Sequence, residues 1–181
     1  KAVKRGIDLD YGKKQISASV TSGILQGKSV GKIASDLQNR IAEMNRTSAV
    51  RAARTAVTGA ENAGRMDSYK AASDMGIEVR QRWVATKDGR TRHAHRRLDG
   101  QTVDWNESFA SELGKIRYPG DPRAKPANVY NCRCTLRTVE PKNLEAEPRK
   151  MRVRDPKTGK NVLVSKITYD EWEEWVKRRE H

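Results

Sequence analysis

The stretch that decides the reading runs Trp83-Val84-Ala85-Thr86-Lys87-Asp88-Gly89-Arg90-Thr91-Arg92-His93-Ala94-His95-Arg96-Arg97-Leu98-Asp99-Gly100-Gln101, then Tyr118-Pro119-Gly120-Asp121-Pro122, then Asn131-Cys132-Arg133-Cys134. Two of the three histidines and both cysteines of the 181-residue chain fall inside it. Four arginines, at 90, 92, 96 and 97, crowd around the histidines. Asp88-Gly89 and Asp99-Gly100 are turn signals, and the prolines at 119, 122 and 126 stop any regular element from continuing. The segment therefore reads as a compact, loop-rich module with a short helix or ordered loop at 90–98. Trp83 and Phe109 are its apolar anchors rather than a base-stacking platform, because they stand singly and are not interleaved along a groove.

Upstream of this module the pattern is helical. Ile16, Val20 and Ile24 recur every four residues, and Gly27 then breaks the helix. Ser29 can cap a second helix carrying the stripe Ile33, Leu37 and Ile41. Asn45 or Thr47 can cap a third, which runs through the alanine-rich stretch from 49 to 72 and ends with Gly76 at its C-cap. Gly59 and Gly64 lie inside that helix. A helical glycine costs about 1 kcal/mol relative to alanine, so close backbone approach is expected to justify each one. After Gly76, Ile77, Val79, Gln81 and Trp83 alternate with charged residues, as a strand with one apolar face would.

Downstream of the module, residues 134–139 read as a closing strand and 141–148 as a linker. Residues 151–154 and 161–164 flank the Asp155-Pro156-Lys157-Thr158-Gly159-Lys160 turn and form a β-hairpin. Thr168 with Glu171 makes a capping box for a last helix bearing Trp172, Trp175 and Val176 on one side. The fold class is thus α+β, in three parts: a helical region over 1–76, the signature module with a small sheet over 77–140, and a linker, hairpin and C-terminal helix over 141–181.

Composition sets outer limits. Aromatic content is only 6%, so the core must rest mainly on Ala, Val, Ile and Leu. The net charge is +14 and is spread along the chain with a local peak at Arg90–Arg97. An excess of that size favours polyanionic partners through counterion release. Arg90, Arg92, Arg96 and Arg97 are the candidate polyanion-facing edge. No run approaches the roughly twenty apolar residues of a membrane helix. Two cysteines spaced Cys-x-Cys make no secreted disulfide framework, so a cytoplasmic origin is expected, with free thiols. A chain that opens on Lys1 is expected to be part of a longer protein.

Three chemistries compete for the cluster. His95, Cys132 and Cys134, with His93 as a further candidate, could bind zinc, whose preferred ligands are thiolate and imidazole. The same residues could form an active site: a Cys132–His95 pair, or His95 with Arg92 and Asp99 around a phosphate. A zinc deaminase is excluded, because its His-x-Glu and Cys-x-x-Cys motifs are missing. In the third reading the polar residues only build the framework. Asp88, Arg90, Arg92, Asp99 and Asp121 would brace turns through charge-assisted bonds, and His95 would be a buried hydrogen-bonding residue.

The blocks Arg51 to Arg65, Trp83, Asp88-Gly89-Arg90-Thr91-Arg92, His95, Leu98-Asp99-Gly100-Gln101, Phe109, Tyr118 to Pro122 and Asn131-Cys132-Arg133-Cys134 resemble, in order and spacing, the signature of phage Mu protein F-like minor head proteins, also called phage head morphogenesis proteins. The resemblance covers about residues 15–139. In it Trp83, Asp88, Asp99, Gly100, Asp121 and Asn131 are motif positions, and no catalytic residue carries over. It implies a non-enzymatic, low-copy virion component made in the bacterial host cytoplasm and lying inside the head. Its partners would be the portal protein, capsid or scaffold proteins, and double-stranded DNA bound without sequence preference. Its work would be procapsid assembly, DNA packaging or DNA ejection. Two readings stand against it: a metal- or His-dependent nuclease or toxin built on residues 83–134, and a host chromatin-like DNA-binding protein. The latter gives the Pro-Gly-Asp-Pro and Asn-Cys-Arg-Cys blocks no task.

Overall fold

A computed structural model describes residues 2–40, 45–139 and 150–180. The expected stripe position Ile41 and the expected linker at 141–148 lie outside them. Three helices come first: α1 (Ala2–Leu25), α2 (Val30–Arg40) and α3 (Arg46–Asp74). Ser29 stands just ahead of α2 and accepts from the Lys32 amide at 3.4 Å. Asn45 caps α3 by accepting from the Ser48 amide at 2.8 Å. α3 closes in a Schellman motif: Gly76 N–H bonds the Ser73 carbonyl and Ile77 N–H the Ala72 carbonyl, with Gly76 at φ 80°. Val20, Ile33, Ala34, Leu37, Ala49 and Ala53 form a small sub-core among the three helices. α1 meets α2 where Gly23 faces Ile33, since a Cβ there would lie 2.5 Å from the Ile33 side chain. Ile24 sits at the edge of this packing and is 39% exposed.

A three-stranded antiparallel sheet follows, in the order β2 (Thr102–Asp104), β1 (Arg80–Val84) and β5 (Thr135–Val139). Trp83 pairs with Leu136 and Gln81 with Thr138 across β1 and β5. Val79, Gln81 and Trp83 are buried as the alternation predicts, but Ile77 is half exposed and the strand starts only at Arg80. The reason is local: the Ile77 amide is already committed to capping α3. The stretch from 101 to 131 holds more regular structure than its turn residues suggest. Besides β2 it contains a hairpin of β3 (Phe109–Ser111) and β4 (Gly114–Ile116), and a one-turn helix α5 (Pro126–Val129) opened by Pro126. Another short helix, α4 (His93–Arg96), fills the expected place after the Asp88-Gly89 turn. Elements of three or four residues are too short to show a period.

A close backbone approach and several side-chain bonds seat α3 on this module. Gly59 lies against Gly120, whose φ is 84°: a Cβ on Gly59 would reach the Gly120 carbonyl oxygen at 2.9 Å, and one on Gly120 would fall 2.7 Å from Gly59 backbone. Gly64 has no such neighbour, so only Gly59 meets the expected backbone approach. Further along α3, the buried Asn62 accepts the Leu136 amide at 3.0 Å and donates to the Thr58 carbonyl at 2.8 Å.

The tail forms the expected hairpin of β6 (Lys150–Arg154) and β7 (Asn161–Ser165), then α6 (Tyr169–Glu180). Its capping box is complete: the Thr168 amide donates to Glu171 Oε2 at 2.6 Å, and the Glu171 amide donates to Thr168 Oγ1 at 3.3 Å. The tail is no separate body. Val153, Tyr169 and Trp172 are buried in the same cluster as Trp83, Phe109 and Leu136. Tyr169 donates its hydroxyl to the Asp88 carbonyl at 2.7 Å. Among the described residues no helix is long and apolar enough to cross a membrane.

Candidate functional site

The sequence around Cys132 is extended and runs into β5, so burial alternates: Cys132, Cys134 and Leu136 turn inward while Arg133 and Thr135 are half buried. Side chains at i and i+2 share a face in extended backbone, which aims both thiols the same way. α4 supplies the third group. His95, 1% exposed, sets Nδ1 3.5 Å from Cys132 Sγ and 3.6 Å from Cys134 Sγ. The three ligand-type atoms lie within 4.8 Å of one another. Both cysteines are free thiols.

Behind the imidazole stands Asn128, on α5 and fully buried. Its Nδ2 donates to the Gly114 carbonyl at 3.1 Å, so its Oδ1 faces His95 Nε2 at 2.9 Å and also accepts from Ser111 Oγ at 3.3 Å. An oxygen at that point requires a proton on Nε2. The Nδ1 lone pair of neutral His95 therefore points at the two sulfurs. The edge of the ring is walled by Trp83, whose centroid is 5.1 Å away in a T-shaped contact, and Trp83 meets Phe109 in the same manner at 5.2 Å. Cys132 Sγ also accepts the Cys134 amide at 3.4 Å. The two thiols are driven apart in acidity. The Cys134 side chain bonds the Cys132 sulfur and holds it below the usual thiol range despite burial, while the same bond, reinforced by burial, pushes Cys134 well above it.

The other sequence candidates are framework. Asp88 takes a bidentate bond from Arg133, with Nη2 to Oδ1 at 2.7 Å. Burial pushes the Asp88 carboxyl up, but the Arg133 guanidinium, with Arg90 nearby, more than offsets this and leaves it below its ordinary value. Asp99 accepts the Ala85 amide at 2.7 Å and the ammonium of Lys87 at 2.6 Å, a nearly dry ion pair. Gly100, at φ 80°, donates its amide to the Trp83 carbonyl at 2.9 Å. Asp121 is held by Arg117 at 2.7 and 2.8 Å. Asn131 stands at φ 58°, takes Arg54 on its Oδ1 and gives its amide to Thr55 Oγ1 at 2.9 Å.

The four arginines do not form one edge. Arg90 and Arg97 are exposed. Arg92 instead reaches the carbonyls of Ala127 and Tyr130, closing the C-terminal end of α5. Arg96 pairs with Glu173 at 2.5 Å and lies over the Tyr169 ring, 4.8 Å from its centroid. His93 is also apart: it is exposed, 3.0 Å from Glu112, and is not among the clustered ligand atoms. Asn128 and Thr58, whose hydroxyl donates to the Cys132 carbonyl at 3.0 Å, were not legible as site residues. The one signal near Asn128 was Pro126, a residue suited to the first position of a helix.

A family profile described as Phage Mu protein F like protein matches residues 14–137, which include every residue of the cluster and stop short of β6, β7 and α6. The chain is 30% identical over 159 residues to the NAD(+)–arginine ADP-ribosyltransferase EFV of Enterococcus faecalis, covering 88% of this chain and 31% of that protein. It is 29% identical over 163 residues to the minor head protein GP7 of Bacillus phage SPP1, covering 90% of this chain and 51% of that protein. It thus spans about a third to a half of the curated relatives it matches. No solved structure matches it significantly.

Proposed function

We propose a part in building the phage head, from one established premise: the chain belongs to the Phage Mu protein F-like family. The observation that carries the proposal is the alignment of 90% of the chain with a phage minor head protein. The relative named as an ADP-ribosyltransferase aligns with the same chain through less than a third of its own length. A stretch common to a head protein and a transferase supports a shared structural role more than the named activity of either. On this reading the chain is a minor virion component inside the head, associated with the portal and capsid or scaffold proteins. Its charge of +14 lets it lie against packaged DNA without sequence preference. Arg90 and Arg97 are the exposed cations of the module's arginine cluster that could meet phosphate.

We also propose that the chain turns over no substrate. The nuclease alternative needs a phosphodiester beside His95, and that imidazole is sealed behind Trp83 and Asn128. The deciding experiment is particle assembly with the cognate portal and capsid proteins, with and without this protein. Copies retained in purified heads, with fewer or misassembled heads in its absence, support the role. Normal heads without it, and none retained when it is present, overturn it. Filter binding tests the DNA contact, which should weaken steeply with salt, and plasmid nicking that is lost in His95→Ala would restore the enzyme reading.

A further inference from the structure

We propose that His95 Nδ1, Cys132 Sγ and Cys134 Sγ hold one zinc ion buried inside the fold, where it braces the structure independently of what the whole particle does. With Zn–S of about 2.3 Å and Zn–N of about 2.05 Å, a tetrahedral ion sets its nitrogen and sulfur ligands about 3.5–3.6 Å apart. The two N···S distances here are 3.5 and 3.6 Å. Both N···S separations already match that spacing, and all three ligand atoms lie within 4.8 Å of one another, although they come from segments 37 and 39 residues apart.

The surroundings point the same way. Asn128, locked by the Gly114 carbonyl, puts the imidazole proton on Nε2 and leaves Nδ1 as a lone pair, the outer-shell arrangement of a ligating histidine. The Cys134 amide donates to Cys132 Sγ, a bond that favours a sulfur carrying negative charge. Without a metal only one weak S–H donor at a time can satisfy Nδ1, although both sulfurs lie within reach of it. With zinc, the two thiol protons leave to solvent and the +2 ion meets two thiolates, so the buried group is neutral. Among the described residues no fourth His, Cys, Asp or Glu joins the three, and we assign the last vertex to a water molecule. The ion would staple α4 to the start of β5, a segment otherwise held by turns and side-chain bonds.

The test uses the full chain purified without chelators. Metal analysis should find about one zinc per chain, and cobalt titrated into the stripped protein should produce the sulfur-to-metal charge-transfer band of a thiolate site. His95→Gln and Cys134→Ser should each lose the zinc, while His93→Gln, outside the cluster, keeps it. Asn128→Ala should weaken zinc affinity about 10–100-fold with the ligands intact. Should the cysteine variant fail to fold, the wild type still decides: zinc must shield both thiols from a thiol reagent and raise the Tm of the stripped protein. Folded wild-type protein with no zinc, no charge-transfer band and a Tm indifferent to zinc would overturn the proposal and leave two packed thiols.

Discussion

Around Leu37 the chain is held by small aliphatic side chains from three helices that follow one another closely in sequence. Around Trp83 it is held by five further buried aromatic rings with Leu98, Ile116 and Leu136, and by polar bonds spanning up to 81 residues. The helical end has one apolar contact surface and few tertiary bonds besides. The central module has a dry ion pair, a bidentate Asp88–Arg133 bridge and side chains that bond backbone across elements. α3 belongs to both, with Ala49 and Ala53 in the first and Asn62 and Tyr69 in the second. Regions with few buried contacts open at lower free energy, so α1 and α2 should fray while the module stays closed.

The largest expected effect is in the module. Trp83→Ala removes a fully buried ring that touches both His95 and Phe109 and should lower stability by about 3–5 kcal/mol, read from urea unfolding. Loss of protection throughout β1, β5 and α6 together would establish the module and tail as one cooperative unit. Leu37→Ala, also fully buried, should lower stability by about 2–3 kcal/mol, since its alanine-lined site can partly close. Hydrogen exchange should then quicken in α1 and α2 but not in β1 and β5. Equal loss in both regions would erase the contrast.

pH sharpens the same comparison without mutation. Burial raises the Tyr169 phenol, which donates to the Asp88 carbonyl, to about 12 against an ordinary 10. A raised acid favours folding while protonated in both states. Its contribution is therefore full below pH 10 and is lost as pH climbs from 10 to 12. Urea midpoints should fall over that window in the wild type, and the fall should flatten in Tyr169→Phe. The Asp88 carboxyl has the opposite sign: held low, it contributes above its ordinary pKa near 4 and is lost on further acidification.

The smallest effects come from two glycines of α3. Gly59→Ala drives a Cβ into the Gly120 carbonyl and should destabilise by about 1–3 kcal/mol. Gly64→Ala meets nothing and should stabilise by up to ~1 kcal/mol. Thermal melts of the two variants should move in opposite directions.

Much of this was readable in advance where the cause is local. The Asn45 cap, the Gly76 stop and the Thr168–Glu171 box rest on bonds between residues at most five apart, so spacing alone announces them. Ile77 failed as a strand residue because two local rules met on one amide and capping won. The short strands of 101–116 and α5 carry no period, and their stability comes from neighbours distant in the chain.

Residue types and order were enough to establish the α+β class, the hairpin-and-helix tail and the concentration of chemistry between Trp83 and Cys134. Packing alone determined that His93 faces solvent while His95 meets both thiols, that Arg92 and Arg96 brace the fold instead of facing a partner, and that the tail closes over Asp88. Those outcomes depend on chain closure across 30 to 80 residues, where the entropy of bringing ends together is offset only by the whole core at once. No single segment contains that information.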